Sequence, residues 1–365
     1  MGIKENIKNR FSSLRIKIKQ TKFNLSRDVI GLDIGSENIK ICTKNGKNII
    51  NEPSVVSYTT DNNINANLLY GKKAKEVLGK VPLNIKVLKP FSHGSVVDYK
   101  FASQMINYFL EKNLHSNTIL SPILILNIHY SLNEIEKKTF QEILENSNSK
   151  EVYMIYNPIA ISIGCNIPID KPFGSMIIDI GGGKTEISVI CLGEVIQNCS
   201  FNYGGETIDK SIISYIKQKY NLLIGVNMAE EIKKKIGAVY LIEGVDDIKT
   251  LKIQGRDLST NKSQEITITQ EDVVWALSEF SNLLISNIKE ILDKTQPELI
   301  RDIEKEGAIL CGGCSTIQNI DYIINKATNI KTHIQKQPSL CSIKGLIKIV
   351  ENYKNYNHLL FKYNI

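Results

Sequence analysis

Apolar positions along this chain follow two periods. The runs VIGLDI (29–34), IKICTK (39–44), ILILNI (123–128), MIIDI (176–180) and EISVI (186–190) are continuous or alternate every second residue, as buried strands do. Segments 133–146, 206–219, 228–238, 271–294 and 316–327 space their apolar residues at three and four, the signature of a helix with one packed face. Strand and helix patterns alternate, which predicts an α/β protein. One further pattern stands apart. In GIKENIKNRFSSLRIKIK, Ile3, Ile7, Phe11, Leu14 and Ile18 fall on one arc of a helix. Lys4, Lys8 and Arg15 flank one side, Arg10 and Lys17 the other, and Ile16 alone falls among the polar positions. A narrow apolar stripe edged by cations suits a helix lying in an anionic membrane surface. A helix docked on the body, or a transit peptide, is the competing reading.

Charge sharpens this division. Residues 1–27 hold eight Lys/Arg against one acid, so the whole net charge of +7 sits there, and the rest is balanced at 37 of each. The basic character belongs to a tail, which predicts no nucleic-acid surface on the body. A length of 365 residues suggests two domains or one bilobed unit. No apolar run is long enough for a membrane span, and none follows the basic start as a secretory signal requires. Seven scattered Cys predict reduced thiols in a cytosol-like compartment. Cys311 and Cys314 form C-x-x-C, but two glycines separate them and no second pair or nearby His completes a zinc site.

The candidate chemistry lies in three glycine turns. MIIDIGGGKTEISVI (176–190) ends in Gly182-Gly183-Lys184-Thr185, like the end of a phosphate-binding P-loop. The position that a P-loop fills with its first Gly is Ile178, so the pattern fails. The stretch instead has an echo. IGLDIGSENIKI (30–41) and MIIDIGGGKTEI (176–187) both read apolar strand, Asp-Ile-Gly, polar turn, alternating strand. They predict a duplicated domain with one such hairpin in each half. Gly35, Ser36, Glu37 and Asn38 in one turn, and Gly181, Gly182, Gly183 and Lys184 in the other, let backbone N–H groups approach an anion. Asp33 and Asp179 end the first strands, where a carboxylate would repel phosphate but hold Mg²⁺. In GAILCGGCSTIQNI (307–320), a strand runs into Gly312, Gly313 and Cys314, a turn that lets backbone pass close to an adenosine.

In this order the three turns resemble the nucleotide site of the actin-like superfamily, which includes actin, heat-shock ATPases and sugar kinases. The likeness narrows to MreB, the bacterial actin family of cell shape. It is carried by NEPSVVSY (51–58), GKKAKEVLGKVPLNIKVLKPFSHGSVVDY (71–99), GSMIIDIGGGKTEISVI (174–190), YNLLIGVNMAEEIKKKIGAVY (220–240) and PSLCSIKGL (338–346). The resemblance implies an actin-like, ribonuclease H-like duplicated α/β fold with a nucleotide cleft between two lobes. Lobe I would comprise 29–160 with 335–365, its outer subdomain near 55–92. Lobe II would comprise 161–334, its outer subdomain near 206–272, and residues 1–28 would form the membrane helix.

It also implies ATP and Mg²⁺ as cofactors and filaments of the chain with itself on the inner face of the cell membrane. Membrane proteins of the cell-shape or elongation machinery would be partners. By resemblance, Glu136 positions the attacking water, one turn into a helix that the capping pattern Ser131-x-x-Glu134 starts near Leu132. Glu230 and Lys233 fall near ribose and base, and Gly204 and Gly205 form a further phosphate-side pair. The chain departs from the family at Ser36, Glu37, His129, Asn157, Lys184, Glu206 and Cys314. Those departures make slow hydrolysis, or a non-hydrolysing membrane scaffold of the same fold, the expected alternatives. A sugar kinase or a chaperone of the superfamily is the weaker rival.

Overall fold

The computed structural model describes residues 27–44, 49–60, 68–80, 82, 84–113 and 120–363. The apolar stripe Ile3, Ile7, Phe11, Leu14 and Ile18 lies outside them.

Two five-stranded sheets organise the chain. The first has the order Glu151–Tyr156, Ile123–Ile128, Val29–Ile34, Asn38–Thr43, Ile50–Pro53. The second has the order Glu194–Phe201, Thr185–Cys191, Ser175–Ile180, Ala308–Cys311, Thr332–Ile334. Each is built around the first strand of an Asp-Ile-Gly hairpin. That strand pairs antiparallel with the next one in sequence and parallel with a distant one. Both sheets then extend by one antiparallel and one parallel neighbour. The duplication expected from the repeated motif is thus a duplicated topology. Parallel strands covered on both faces read as continuous apolar runs, and Val29–Ile34 and Ile123–Ile128 are buried at every position.

The outer face of the first sheet packs Ile30, Leu32 and Leu124 on Phe109 and Phe140 of helices Tyr99–Asn113 and Glu134–Glu145. The second sheet packs Ile178 and Val189 on helices Gly205–Tyr220 and Ser278–Lys294 through Ile208, Leu284 and Ile288. A third apolar cluster joins the inner faces. There Ile125 and Ile155 of one sheet and Ile177 and Cys311 of the other meet Ile161 and Leu346 of helices Asn157–Gly164 and Cys341–Glu351. Those two helices cross backbone to backbone. A Cβ on Gly345 would lie 1.8 Å from the Ala160 carbonyl oxygen, and one on Gly164 would lie 2.1 Å from that of Cys341. Only glycine at both positions allows so close a crossing.

Smaller sheets cap the two halves. Leu69–Tyr70, Val56–Thr59 and Ile85–Leu88 form one; Leu222–Leu223, Thr250–Asp257 and Ser263–Thr269 form the other. The first lies within residues 56–88 and the second within 222–269.

Three local expectations are corrected. The pattern over 271–294 is two helices, Gln270–Ala276 and Ser278–Lys294, because Leu277 leaves helical geometry at φ −97°, ψ 4° to bury its side chain. The helix expected at 316–327 is Ile320–Thr328, delayed by left-handed Asn319, and a 3-10 turn Gly313–Thr316 fills the gap. The helix that carries Glu136 is capped by Asn133 rather than Ser131 and runs Glu134–Glu145. The C-terminal stretch pairs Phe361 with Met154 at the edge of the first sheet and packs its ring on Tyr156.

Candidate functional site

A cavity of about 590 Å³ lies between the two hairpins. Each hairpin turn closes the same way: Gly35 N–H donates to Asn38 O at 3.0 Å, and Gly181 N–H to Lys184 O at 2.9 Å. The turns face each other closely. A Cβ on Gly183 would lie 2.5 Å from Ser36 Oγ, and one on Gly182 would lie 2.3 Å from Glu37 Cγ. The third turn crosses the end of the second hairpin. Gly312 has φ +85°, and a Cβ there would meet Ile180 O at 2.2 Å and Asp179 Oδ1 at 2.5 Å. A side chain is excluded at this position by conformation and by space.

The cavity brings together nearly all the expected residues. Asp33, Gly35, Ser36, Glu37, Asn38, Asp179, Gly181, Gly182, Gly183, Lys184, Gly205, Glu230, Lys233, Gly312, Gly313 and Cys314 line it. Two do not. Gly204 is the N-cap of helix Gly205–Tyr220 and packs behind the second turn, where a Cβ would sit 2.7 Å from Gly181 O. Glu136 also stands off the cavity. It occupies the third position of the helix as the partner in a capping box. Its Oε2 accepts from Asn133 N–H, its own N–H donates to Asn133 Oδ1, both at 2.9 Å, and Ser95 Oγ donates to its Oε1. Its charge still reaches Lys184. Glu230 and Lys233 do not pair with each other. Glu230 takes Lys75 at 3.3 Å and Lys234 at 2.6 Å, and Lys233 takes Asp209 at 2.8 Å.

The two strand-end carboxylates differ in their partners. Asp33 accepts from Lys40 at 2.8 Å, Ser342 at 2.7 Å and Asn127 at 3.1 Å. Burial alone would push its carboxyl up, but the Lys40 ammonium and these hydrogen bonds hold it below the ordinary carboxylate range. Asp179 accepts from Asn157 Nδ2 at 2.8 Å. Burial pushes its carboxyl up, Glu186 and Asp33 push the same way, and Asn157 and His129 offset only part of this. Lys184 donates to Ser131 Oγ at 3.1 Å, and burial lowers its ammonium below the usual lysine value.

Several residues that complete the site escaped the sequence reading as site residues. Lys40 stands opposite Asp33 in the hairpin register, and Glu186 stands opposite Asp179. Given the closure of the turn, the register alone could have found both. Lys89 links the halves, bonded to Glu37 on the first turn and to Glu206 at 3.0 Å. His93 Nδ1 meets Gly183 O at 2.6 Å, and His129 Nδ1 meets Glu186 Oε2 at 3.1 Å. Asn157 bridges Asn127, Asp179 and Glu186. These contacts link residues 22 to 117 positions apart in sequence, so only the tertiary register reveals them.

The donor set suits a hard cation shared with an anionic ligand. Among the described residues no group of three or more His, Cys, Asp or Glu could hold a metal unaided. Mg²⁺ is ordinarily held by one or two carboxylates together with phosphate oxygens and water. Asp179 offers such a carboxylate, with Oδ1 facing the third turn. No helix among the described residues is long and apolar enough to cross a membrane.

Comparison with known proteins places this geometry. The family model described as MreB/Mbl protein matches residues 27–358. The cell shape-determining protein MreB of Haemophilus influenzae is 32% identical over 320 residues, covering 87% of this chain and 91% of that protein. The cell shape-determining protein Mbl of Bacillus cereus is 32% identical over 323 residues, covering 88% and 96%. Among solved structures, MreB5 of Spiroplasma citri bound to AMPPNP is similar with a TM-score of 0.85 and 27% identity, covering 91% of this chain and 98% of that one. The same protein bound to ADP gives a TM-score of 0.82 at the same identity, covering 91% and 99%.

Proposed function

The chain belongs to the MreB/Mbl family, and from that premise we propose that it is an actin-like cytoskeletal protein that binds ATP with Mg²⁺, polymerises, and helps determine cell shape at a membrane. The observation that carries this reading is the pair of glycine turns from duplicated sheets facing one cavity. Its relatives in Haemophilus influenzae and Bacillus cereus are named for cell shape, and its structural relative from Spiroplasma citri binds AMPPNP and ADP.

In this reading the backbone N–H groups of the turns at 35–38 and 181–184 grip phosphates from both sides. Asp179 and Asp33 supply carboxylates to the cation, whose positive charge would stabilise negative charge on the phosphates. Gly312–Cys314 passes beside the adenosine, and Glu230 and Lys233 lie toward ribose and base. Ligand bridging both halves favours one mutual orientation of the lobes. Stacking of that form through two different surfaces is heterologous and so generates a filament. The basic segment 1–28 gives each subunit weak membrane affinity, which a filament multiplies.

The test is electron microscopy and vesicle co-sedimentation with ATP and Mg²⁺. We expect filaments on anionic vesicles. Asp179→Ala should abolish Mg²⁺-dependent nucleotide binding and filaments, whereas Lys184→Thr should keep binding, since Lys184 is not a P-loop lysine. Deleting residues 1–27, or changing Phe11 and Leu14 to Asp, should release the protein from vesicles, because each buried apolar side chain contributes roughly 1.5–3 kcal/mol. A Lys184→Thr protein that cannot bind ATP, beside an Asp179→Ala protein that can, overturns this account of the site. The engagement of Glu136 in a capping box favours a second reading, a scaffold of this fold that binds nucleotide without hydrolysing it. Filaments on vesicles with no phosphate release would select it.

A further inference from the structure

His129 lies between the two phosphate turns and is not used by the account above. Its ring is 21% exposed and lines the cavity. Nδ1 is committed to Glu186, whose side chain is only 2% exposed. Glu186 cannot turn away. Its Oε1 accepts from Tyr130 N–H at 2.9 Å and Asn198 Nδ2 at 3.2 Å, and its Oε2 accepts from Asn157 Nδ2 at 3.2 Å. The imidazole is therefore held at a fixed angle, with the opposite edge toward Gly94. A Cβ on Gly94 would lie 2.4 Å from His129 Cδ2 and 3.1 Å from Nε2. Gly94 in turn presents its N–H to Ser36 Oγ of the first turn at 3.4 Å. The charge of Lys184 in the second turn also acts on the ring. The charged groups around the ring are thus Glu186 and Asp179, opposite each other on paired strands, and Lys184 in the turn that joins those strands.

We propose that His129 is a phosphate-contacting residue of the cleft, presenting Nε2–H to the terminal phosphate of a nucleoside triphosphate, with Glu186 as the positioning residue behind it. The inference rests on the nucleotide reading of the cavity. It adds a side-chain donor that distinguishes a triphosphate from a diphosphate. The chemistry is that of a carboxylate that holds Nδ1–H and stabilises the imidazolium, in which both ring nitrogens carry protons, so that Nε2–H donates. Burial alone would favour the neutral ring, but the Glu186 carboxylate favours the charged one, whose N–H is a charge-assisted donor toward an anion.

The experiment measures the affinity of the full chain for AMPPNP and for ADP, each with Mg²⁺, in wild type, His129→Gln, His129→Ala and Glu186→Gln, with thermal melts as the folding control. Loss of one charge-assisted hydrogen bond should weaken AMPPNP binding roughly tenfold to a hundredfold and leave ADP nearly unchanged. Added imidazole should restore part of the AMPPNP affinity of His129→Ala. Glu186→Gln should lower the AMPPNP-to-ADP preference in the same direction by a smaller factor, and it serves as the test should a His129 variant not fold. An unchanged preference, or equal loss for both nucleotides, overturns the inference while leaving the site reading intact. Wild type that binds neither nucleotide overturns the site reading itself, and this inference with it.

Discussion

The two Asp-Ile-Gly hairpins are copies in topology and opposites in charge. Both turns close by the same Gly N–H bond, and both Asp residues face the same register position across the hairpin. Opposite Asp33 the chain places Lys40, and opposite Asp179 it places Glu186. The first carboxylate is neutralised within the protein. The second is crowded by a like charge, and its negative charge is left for whatever enters the cleft. The two equivalent positions thus differ in the charge of their cross-strand neighbour. Asp33 ties the first sheet to helix Cys341–Glu351 through Ser342, so its role is as much architectural as chemical. Asp179 accepts from Asn157 and from the Cys311 thiol, lines the cavity, and is the better candidate for the cation.

The largest expected effect breaks this comparison at both ends. Asp33→Ala strands the Lys40 ammonium, whose side chain is 13% exposed, and removing one partner of such a pair costs about 3–5 kcal/mol. Lys40→Met should cost a similar amount, and the double variant Asp33→Asn with Lys40→Met should recover much of the loss. Asp179→Asn should instead leave stability unchanged or raise it at pH 7. Urea denaturation measures all four. The pH dependence carries opposite signs. The folded-state carboxyl of Asp33 is held below its unfolded value, so its stabilisation is present above the unfolded value and fades as pH falls through the folded one. That of Asp179 is raised, so the folded state gains a proton first and its penalty fades on acidification. An Asp179→Asn protein as unstable as Asp33→Ala would show that the two positions had not diverged.

Much of this was legible in the sequence, for a physical reason. A duplicated strand-turn-strand with Asp and Gly at fixed spacing is a local pattern, and its chemistry is local too. So the three turns and their cavity residues emerged from spacing and resemblance. Lys40 and Glu186 were legible in principle, because a two-stranded register follows once the turn closes at Gly35 and Gly181. Asn157, Ser342, Lys89 and His129 were not legible as site residues in this way, since nothing near them in sequence specifies the distant partners they meet. Gly164 and Gly345 carry a weak signal, glycine inside a helical pattern, that points to close packing without naming the neighbour. The capping error has a plain cause. Ser131-x-x-Glu134 and Asn133-x-x-Glu136 both satisfy the same box. The burial of Leu132 before the first turn, which the structure supplies, accompanies the second.

A medium effect separates two roles of Glu136. Because Gln also serves in a capping box, Glu136→Gln should keep stability within about 0.5 kcal/mol and retain nucleotide binding. Glu136→Ala should lose roughly 1 kcal/mol with the cap. If Glu136 also orients water, as the family resemblance implies, both variants slow phosphate release and prolong filaments. We expect that result. Slowing confined to Glu136→Ala would reduce its role to the helix terminus and favour the non-hydrolysing scaffold.

The smallest effect sharpens the comparison where the halves meet. Lys89 carries one positive charge between Glu37, from the first hairpin turn, and Glu206, from the helix that follows the second hairpin. Burial alone would lower its ammonium, but the two carboxylates raise it above the usual lysine value. The three side chains are 30%, 32% and 16% exposed, so solvent screens much of their attraction, and Lys89→Met should cost no more than about 1 kcal/mol. The loss should shrink at high salt, because screening already weakens a pair this open to water. The Asp33–Lys40 pair inside one hairpin should show no such salt dependence. Urea denaturation of Lys89→Met and Lys40→Met at low and high salt therefore contrasts a clasp between the halves with a strut within one. Equal salt sensitivity in the two would mean that the buried hairpin pair is as solvated as the clasp, and the asymmetry between the hairpins would lose its electrostatic basis.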